Sequence, residues 1–242
     1  MATGPALNIH IADKRFAAAA PALFADLRLD IVPASTVALV GPSGVGKSSL
    51  LRLIAGIDHQ FAGSITIDGV AAHAAPPPGF VFQDPRLLPW LSALDNIRAV
   101  RPGCTLAEAQ AALARVGLGD VGAAYPHQLS GGMQRRVALA RALSVNARLL
   151  LLDEPFVSLD RPLVAEMHHL FASILTETQP TVVFVSHLAD DAARLADRVI
   201  LLDQRPARII ADLTLPVPRA DRDAATIAAY RQRIETGLAP QG

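Results

Sequence analysis

A glycine-rich octet, Gly41-Pro42-Ser43-Gly44-Val45-Gly46-Lys47-Ser48, constrains the architecture of this chain more than any other segment. It stands between an apolar run, Thr36 to Val40, and a helical run, Ser49 to Ala55, so a strand must turn directly into a helix. Glycines allow that turn, because they reach backbone conformations costly to other residues. The curled backbone points N–H groups inward and the helix N-terminus adds a partial positive charge, which suits the loop to a phosphate. Lys47 would then reach the β and γ phosphates of a nucleotide, and Ser48 a magnesium ion.

Further short runs rich in Val, Ile and Leu, at Leu149 to Leu152, Thr181 to Val185 and Val199 to Leu202, read as buried strands of a parallel sheet. Helical patterns alternate with them, which predicts an α/β core. Ser64 to Asp68 alternates in polarity and ends in Asp68-Gly69, as a strand entering a tight turn does. With Leu7 to Ile11 it would build a small antiparallel sheet beside the core. Residues 92 to 143 show no strand pattern. Thr105 and Glu108 form a capping box before Leu106, Ala109, Leu113 and Val116, and Gly117 closes that helix, so an α-helical subdomain is inserted into the core. Ala71 to Gly79, with three consecutive prolines, is a stiff connector.

Composition narrows the function. The chain has 242 residues, 51% hydrophobic and 18% charged, enough for a buried core and unlike a disordered chain. Lys plus Arg and Asp plus Glu are 22 each, so no bulk field attracts nucleic acid or an anionic bilayer. The single cysteine, Cys104, forms no internal disulfide or zinc cluster and fits a reducing compartment. The longest stretch without charge, Ile31 to Gly46, falls short of the ~20 apolar residues of a spanning helix. Lys14-Arg15 before Phe16 to Ala25 imitates a signal peptide, but Asp13, Asp26 and Pro21 spoil the pattern, and a cytosolic protein is expected. The mean hydropathy of +0.33 leaves room for a docking surface.

Two further motifs carry chemistry. Leu149 to Leu152 runs into Asp153-Glu154-Pro155, placing two carboxylates at the C-terminal end of a strand, where open α/β sheets bind ligands. Asp153 suits a magnesium shell, and Glu154 a base that polarises the attacking water. Leu129-Ser130-Gly131-Gly132-Met133-Gln134 opens another helix, with Ser130 as N-cap and a second N-terminus able to hold a phosphate.

Gly41 to Ser48, Gln83, Leu129 to Gln134, Leu151 to Pro155, Ser158-Leu159-Asp160 and His187 occur in the order and approximate spacing of the ATP-binding cassette ATPases, a family that residues 5–215 resemble. The resemblance implies a P-loop NTPase core with a small antiparallel β subdomain and a helical subdomain at about 85–145, followed by a short helical tail over 216–242. It also implies ATP and Mg2+ as ligands. In the family two cassettes meet head to tail, each ATP lying between one phosphate loop and the opposite signature helix, so a second ATPase subunit, here a homodimer partner, is expected. Gly41, Ser43, Gly44, Gly46, Lys47, Ser48 and Ser49 would bind the phosphates of one site, and Ser130, Gly131 and Gly132 those of the other. Ser48, Gln83 and Asp153 would hold the metal. Glu154, Gln83 and His187 would be catalytic, with Gln83 sensing the metal and lytic water and His187 sensing the γ-phosphate. Phe16 resembles the aromatic that stacks on adenine, and Asp160 the cross-interface aspartate. Each has a plainer alternative: Phe16 in a core, Gln83 as a loop amide, Asp160 as a helix cap, His187 as a strand-end histidine.

The stretch between Gly41 and Leu129 is too short for the coiled-coil insertion of DNA-acting relatives, and no nucleic-acid partner is expected. Pro126-His127-Gln128 and the segment from Val81 to Trp90 are similar to the nitrate, sulfonate and taurine importer branch. That implies an ATPase subunit powering solute import, with a transmembrane permease as partner, a periplasmic or surface solute-binding protein as an indirect one, and a peripheral location at the cytoplasmic face of the inner membrane; the alternative is a soluble, non-transport ATPase of the same family acting on a macromolecule. Leu87, Leu88 and Trp90 either tuck into the helical subdomain or face the permease. Ile227, Tyr230 and Ile234 read as the packing stripe of a tail helix.

Overall fold

The computed structural model describes residues 3–17, 19–157, 159 and 161–239. Its core is a six-stranded sheet in the order β10-β9-β3-β8-β7-β6. Here β3 is Thr36–Val40, β6 Gly79–Val81, β7 Leu149–Asp153, β8 Thr181–Val185, β9 Arg198–Asp203 and β10 Arg208–Thr214. The five strands from β9 to β6 are parallel, and β10 runs antiparallel on the edge. A second, antiparallel sheet has the order β2-β1-β4-β5, built from β1 (Leu7–Lys14), β2 (Phe24–Ile31), β4 (Ala62–Ile67) and β5 (Val70–Ala71).

The central strands are apolar throughout because both faces of the sheet are covered. Ala38, Leu150, Leu152, Val182, Phe184, Val199 and Leu201 face a core shared with the helical segments. Their alternates Val37, Leu39, Leu149, Leu151, Val183, Val185 and Ile200 face α1 (Lys47–Ile54) and the antiparallel sheet. Truncating one of these leucines to alanine costs about 2 to 5 kcal/mol, so this sheet is a rigid platform for whatever its strand ends carry.

Between β6 and β7 lie α2 (Ala93–Arg98), α3 (Leu106–Arg115) and α4 (Gly131–Ser144). The expected capping box opens α3: Thr105 Oγ1 accepts from Glu108 N and the Glu108 carboxylate accepts from Thr105 N, which holds the Glu108 pKa down at about 2. Asp68 and Gly69, with φ of 50° and 79°, make the tight turn between β4 and β5. The remaining helices are α5 (Arg161–Thr178), α6 (Ala189–Leu195) and α7 (Ala224–Leu238). Tyr230 and Ile234 of α7 are buried, Ile227 packs beside them, and the Tyr230 hydroxyl accepts from Val217 N at 3.0 Å.

Three strands carry no clear sequence pattern. In β2 the inward residues are Phe24, Leu27, Leu29 and Ile31, and the alternation slips at Asp26, whose φ is 52°. β10 is a half-exposed edge strand whose Arg208 and Asp212 discourage further pairing. β6 is three residues long and trims the proline-rich connector to the residues between Ala71 and Gly79.

Candidate active site

The ends of β3, β7 and β8 converge on one cleft of about 320 Å3. The octet forms its floor. Gly46, at φ 117°, caps α1, and a Cβ there would lie 2.8 Å from the Phe24 ring, so conformation and space both require glycine. Gly41 is buried at the end of β3, where a Cβ would come within 2.2 Å of the Leu202 carbonyl oxygen. Gly41 therefore does not line the cleft; its own carbonyl serves Lys47. The Lys47 ammonium is buried and donates to the carbonyls of Gly41 at 2.7 Å and Pro42 at 2.9 Å. Burial holds its pKa below the usual lysine value, opposed by the charges of Glu154 and Asp153. Ser43, Gly44, Gly46, Ser48 and Ser49 line the cleft with it.

The acidic pair divides into two environments. Asp153 is the last residue of β7, and its Oδ1 accepts from Ser48 Oγ at 2.8 Å, across the junction between strand and helix. Burial pushes the Asp153 carboxyl above its ordinary value; the Ser48 hydrogen bond opposes that shift and the Glu154 charge adds to it. Glu154 sits at φ 53°, a left-handed conformation costing a non-glycine residue roughly 1 to 2 kcal/mol. Its N–H donates to the Val185 carbonyl of the neighbouring strand at 3.1 Å. Turned this way, its carboxylate enters the cleft, where Oε2 accepts from Gln83 Nε2 at 3.3 Å and Oε1 pairs with His187 Nε2.

The Ser48 hydroxyl and the buried Asp153 carboxylate are in contact, and Gln83 lines the same cleft as Ser48; their oxygens are hard donors suited to a divalent cation, which would relieve the negative charge at Asp153 and Glu154. Among the described residues no group of three His, Cys, Asp or Glu side chains gathers to hold a metal alone. Magnesium commonly takes one or two carboxylates and completes its shell with phosphate and water, a requirement the Ser48–Asp153 pair fits.

Phe16 lies in the β1–β2 connection, 66% exposed, and lines the cleft. Ser130, Gly131 and Gly132 are not part of this cleft. They open α4 on the surface, where Ser130 caps the helix by accepting from Met133 N, and nothing lies within 4 Å of a Cβ at Gly131. Asp160 and Ser158 lie outside the described residues. Sequence reasoning missed Arg205, which lines the cleft and donates through Nε to the Gly44 carbonyl at 2.9 Å. It lies in the turn after β9, in Gln204-Arg205-Pro206, where no local pattern marks it; only the β9–β3 pairing carries it to the octet.

The phosphate loop, the strand-end carboxylates and the capped α4 define a nucleotide hydrolase of the cassette type. The ABC transporter family model matches residues 24–157, and the chain belongs to that family. It is an ATPase whose hydrolysis is coupled to transport. It is 39% identical to an aliphatic sulfonates import ATP-binding protein of Xanthomonas axonopodis pv. citri, over 96% of this chain and 95% of the relative. It is 41% identical to the corresponding protein of Albidiferax ferrireducens, over 96% of this chain and 82% of that one. Among solved structures it resembles the ATP-binding cassette MJ0796, as a dimer in a post-hydrolysis state bound to ADP and Pi, with a TM-score of 0.78 and 28% identity over 88% of this chain and 100% of the other.

Proposed function

We propose that this chain is the ATPase subunit of an importer for organic sulfonates, working as a dimer beneath a separate transmembrane permease. The observation that carries the catalytic part is the single cleft that unites Lys47, Ser48, Gln83, Glu154 and His187 over a phosphate loop. The cargo rests on the likeness to sulfonate import proteins along nearly the whole chain.

In this reading the amides of the octet and the Lys47 ammonium bind the phosphates, and Phe16 stacks on the adenine. Ser48, Asp153 and Gln83 would hold Mg2+, which would neutralise charge building on the phosphates. Glu154 draws a proton from water positioned for in-line attack, and His187 keeps the Glu154 carboxylate aimed while facing the γ-phosphate. Because Ser130, Gly131 and Gly132 stand away from the cleft on the same chain, they complete the site of a second subunit. Closing two copies around two ATP molecules, and reopening them after hydrolysis, supplies the stroke.

Among the described residues no helix is long and apolar enough to cross a membrane, so the permease provides the path. In this reading the cassette sits at the cytoplasmic face of the inner membrane, and a solute-binding protein acts from the other side. The test is reconstitution of the chain with its permease in proteoliposomes together with the solute-binding protein. ATP hydrolysis should be stimulated by an alkanesulfonate and not by nitrate; stimulation by nitrate alone would reassign the cargo, and failure to associate with a permease would remove the importer reading.

A further inference from the structure

Behind the cleft lies a larger groove of about 1010 Å3 between α5, α6 and the tail, and His187 lies on the wall between the two. Three polar side chains with no part in the chemistry above are buried close by, Ser186 and Asp191 at 3% exposure and His168 at 9%, and of these Asp191 and His168 line the groove. Ser186 Oγ donates to Asp191 Oδ2 at 2.6 Å, and His168 Nε2 lies 3.0 Å from Asp191 Oδ1. A carboxylate withdrawn from water is costly unless hydrogen-bonded, and both oxygens of Asp191 are supplied by groups from two other elements, the end of β8 and the middle of α5.

The arrangement brackets His187. Ser186 Oγ, held by Asp191, also accepts from Leu188 N at 3.0 Å, so the residues on either side of His187 are tied to one hydroxyl. From the other direction, the Phe156 ring meets the His168 ring edge-on, with centroids 4.7 Å apart, and Phe156 is close in sequence to Glu154. Glu154 and His187 touch directly on the cleft side. A circuit therefore runs along the chain from Glu154 to Phe156, by contact through His168, Asp191 and Ser186, along the chain to His187, and by contact back to Glu154.

We propose that His168, Asp191 and Ser186 are positioning residues that hold His187 in register with Glu154, so that α5 and α6 set the aim of the reacting pair. This rests on the reading of His187 as the partner of Glu154 at the γ-phosphate. A displacement of about 1 Å in such a pair is enough for about a 100-fold loss of rate.

The experiment measures ATP hydrolysis in single turnover, KM, and ATP affinity by equilibrium dialysis on the full chain, with circular dichroism to confirm folding. Asp191→Asn keeps the shape and serves if His168→Ala fails to fold. Both should lower the rate about 10- to 100-fold with KM and ATP affinity unchanged. His168→Gln, whose Nε2 can occupy the histidine Nε2 position, should restore most of the rate. In a His187→Ala background, Asp191→Asn should have no further effect. Wild-type rates in folded Asp191→Asn and His168→Ala would overturn the proposal, as would an equal loss with and without His187, or a His168→Gln protein as slow as His168→Ala. A wild-type rate in His187→Ala alone would instead overturn the reading of His187, and the positioning role with it.

Discussion

Glu154 and His187 meet from the ends of two neighbouring parallel strands, β7 and β8, which are in register with Asp153 opposite Val185. Each residue follows the last position of its strand by one or two places, so the sheet itself sets their approach. The left-handed turn at Glu154 then separates its carboxylate from that of Asp153, leaving one acid against Ser48 and the other against His187 and Gln83.

Glu154→Gln keeps the shape of the side chain and removes its charge. ATP should still bind, while hydrolysis falls about 100- to 10,000-fold, as expected on loss of a general base. Size-exclusion chromatography with ATP should show a trapped dimer; a monomer that hydrolyses at the wild-type rate contradicts the role.

Lys47→Ala removes an ammonium whose only described hydrogen bonds go to two loop carbonyls. The fold should persist, because burial already disfavours that charge. Nucleotide affinity and hydrolysis should be lost, as read by equilibrium dialysis and phosphate release.

Asp153→Asn tests a conflict between stability and function. The folded-state pKa of Asp153 is raised by burial, so its ionised form costs stability at neutral pH, and the cost falls as pH drops through that raised pKa toward the unfolded value. The variant should be at least as stable as wild type near pH 7, and the difference should shrink on acidification, measured as Tm against pH. Magnesium-dependent hydrolysis should be abolished at every pH. A variant much less stable at pH 7 would show that the carboxylate supports the fold.

Arg205→Ala deletes the guanidinium behind the Gly44 carbonyl. The side chain is exposed, so Tm should hold. KM for ATP should rise about tenfold, the equivalent of one charge-assisted hydrogen bond of about 1.5 kcal/mol, with kcat at saturation preserved.

Trp90 is 69% exposed, on a loop pinned from beneath by Asn96, whose side chain accepts from Leu88 N and donates to the carbonyls of Leu88 and Leu91. Leu87 packs inward and Trp90 is held out. Trp90→Ala should leave folding and basal hydrolysis intact while weakening capture by the permease by about 2 kcal/mol or more, the cost of losing an interface anchor. A fall in Tm typical of a core truncation would place Trp90 in the cassette's own packing instead.

The features legible in the sequence are short in range. The octet between Val40 and Ser49, the capping box at Thr105 and Glu108, the N-cap at Ser130 and the tight turn at Asp68-Gly69 all depend on neighbours within one turn of chain, where side-chain hydrogen bonds and steric preference act alone. The apolar runs at Leu149 and Thr181 were legible because a strand covered on both faces must be continuously hydrophobic. Tertiary structure decided what those rules leave open. β2 and β10 are strands because β1 and β9 supply their hydrogen-bond partners, not because their own patterns demand it. The contact of Arg205 with Gly44, the pairing of Glu154 with His187 and the burial of Asp191 between Ser186 and His168 each join segments far apart in sequence. Strand order and register bring them together, and these are set by the burial of both sheet faces at once, a balance over the whole chain that no local stretch of residues encodes.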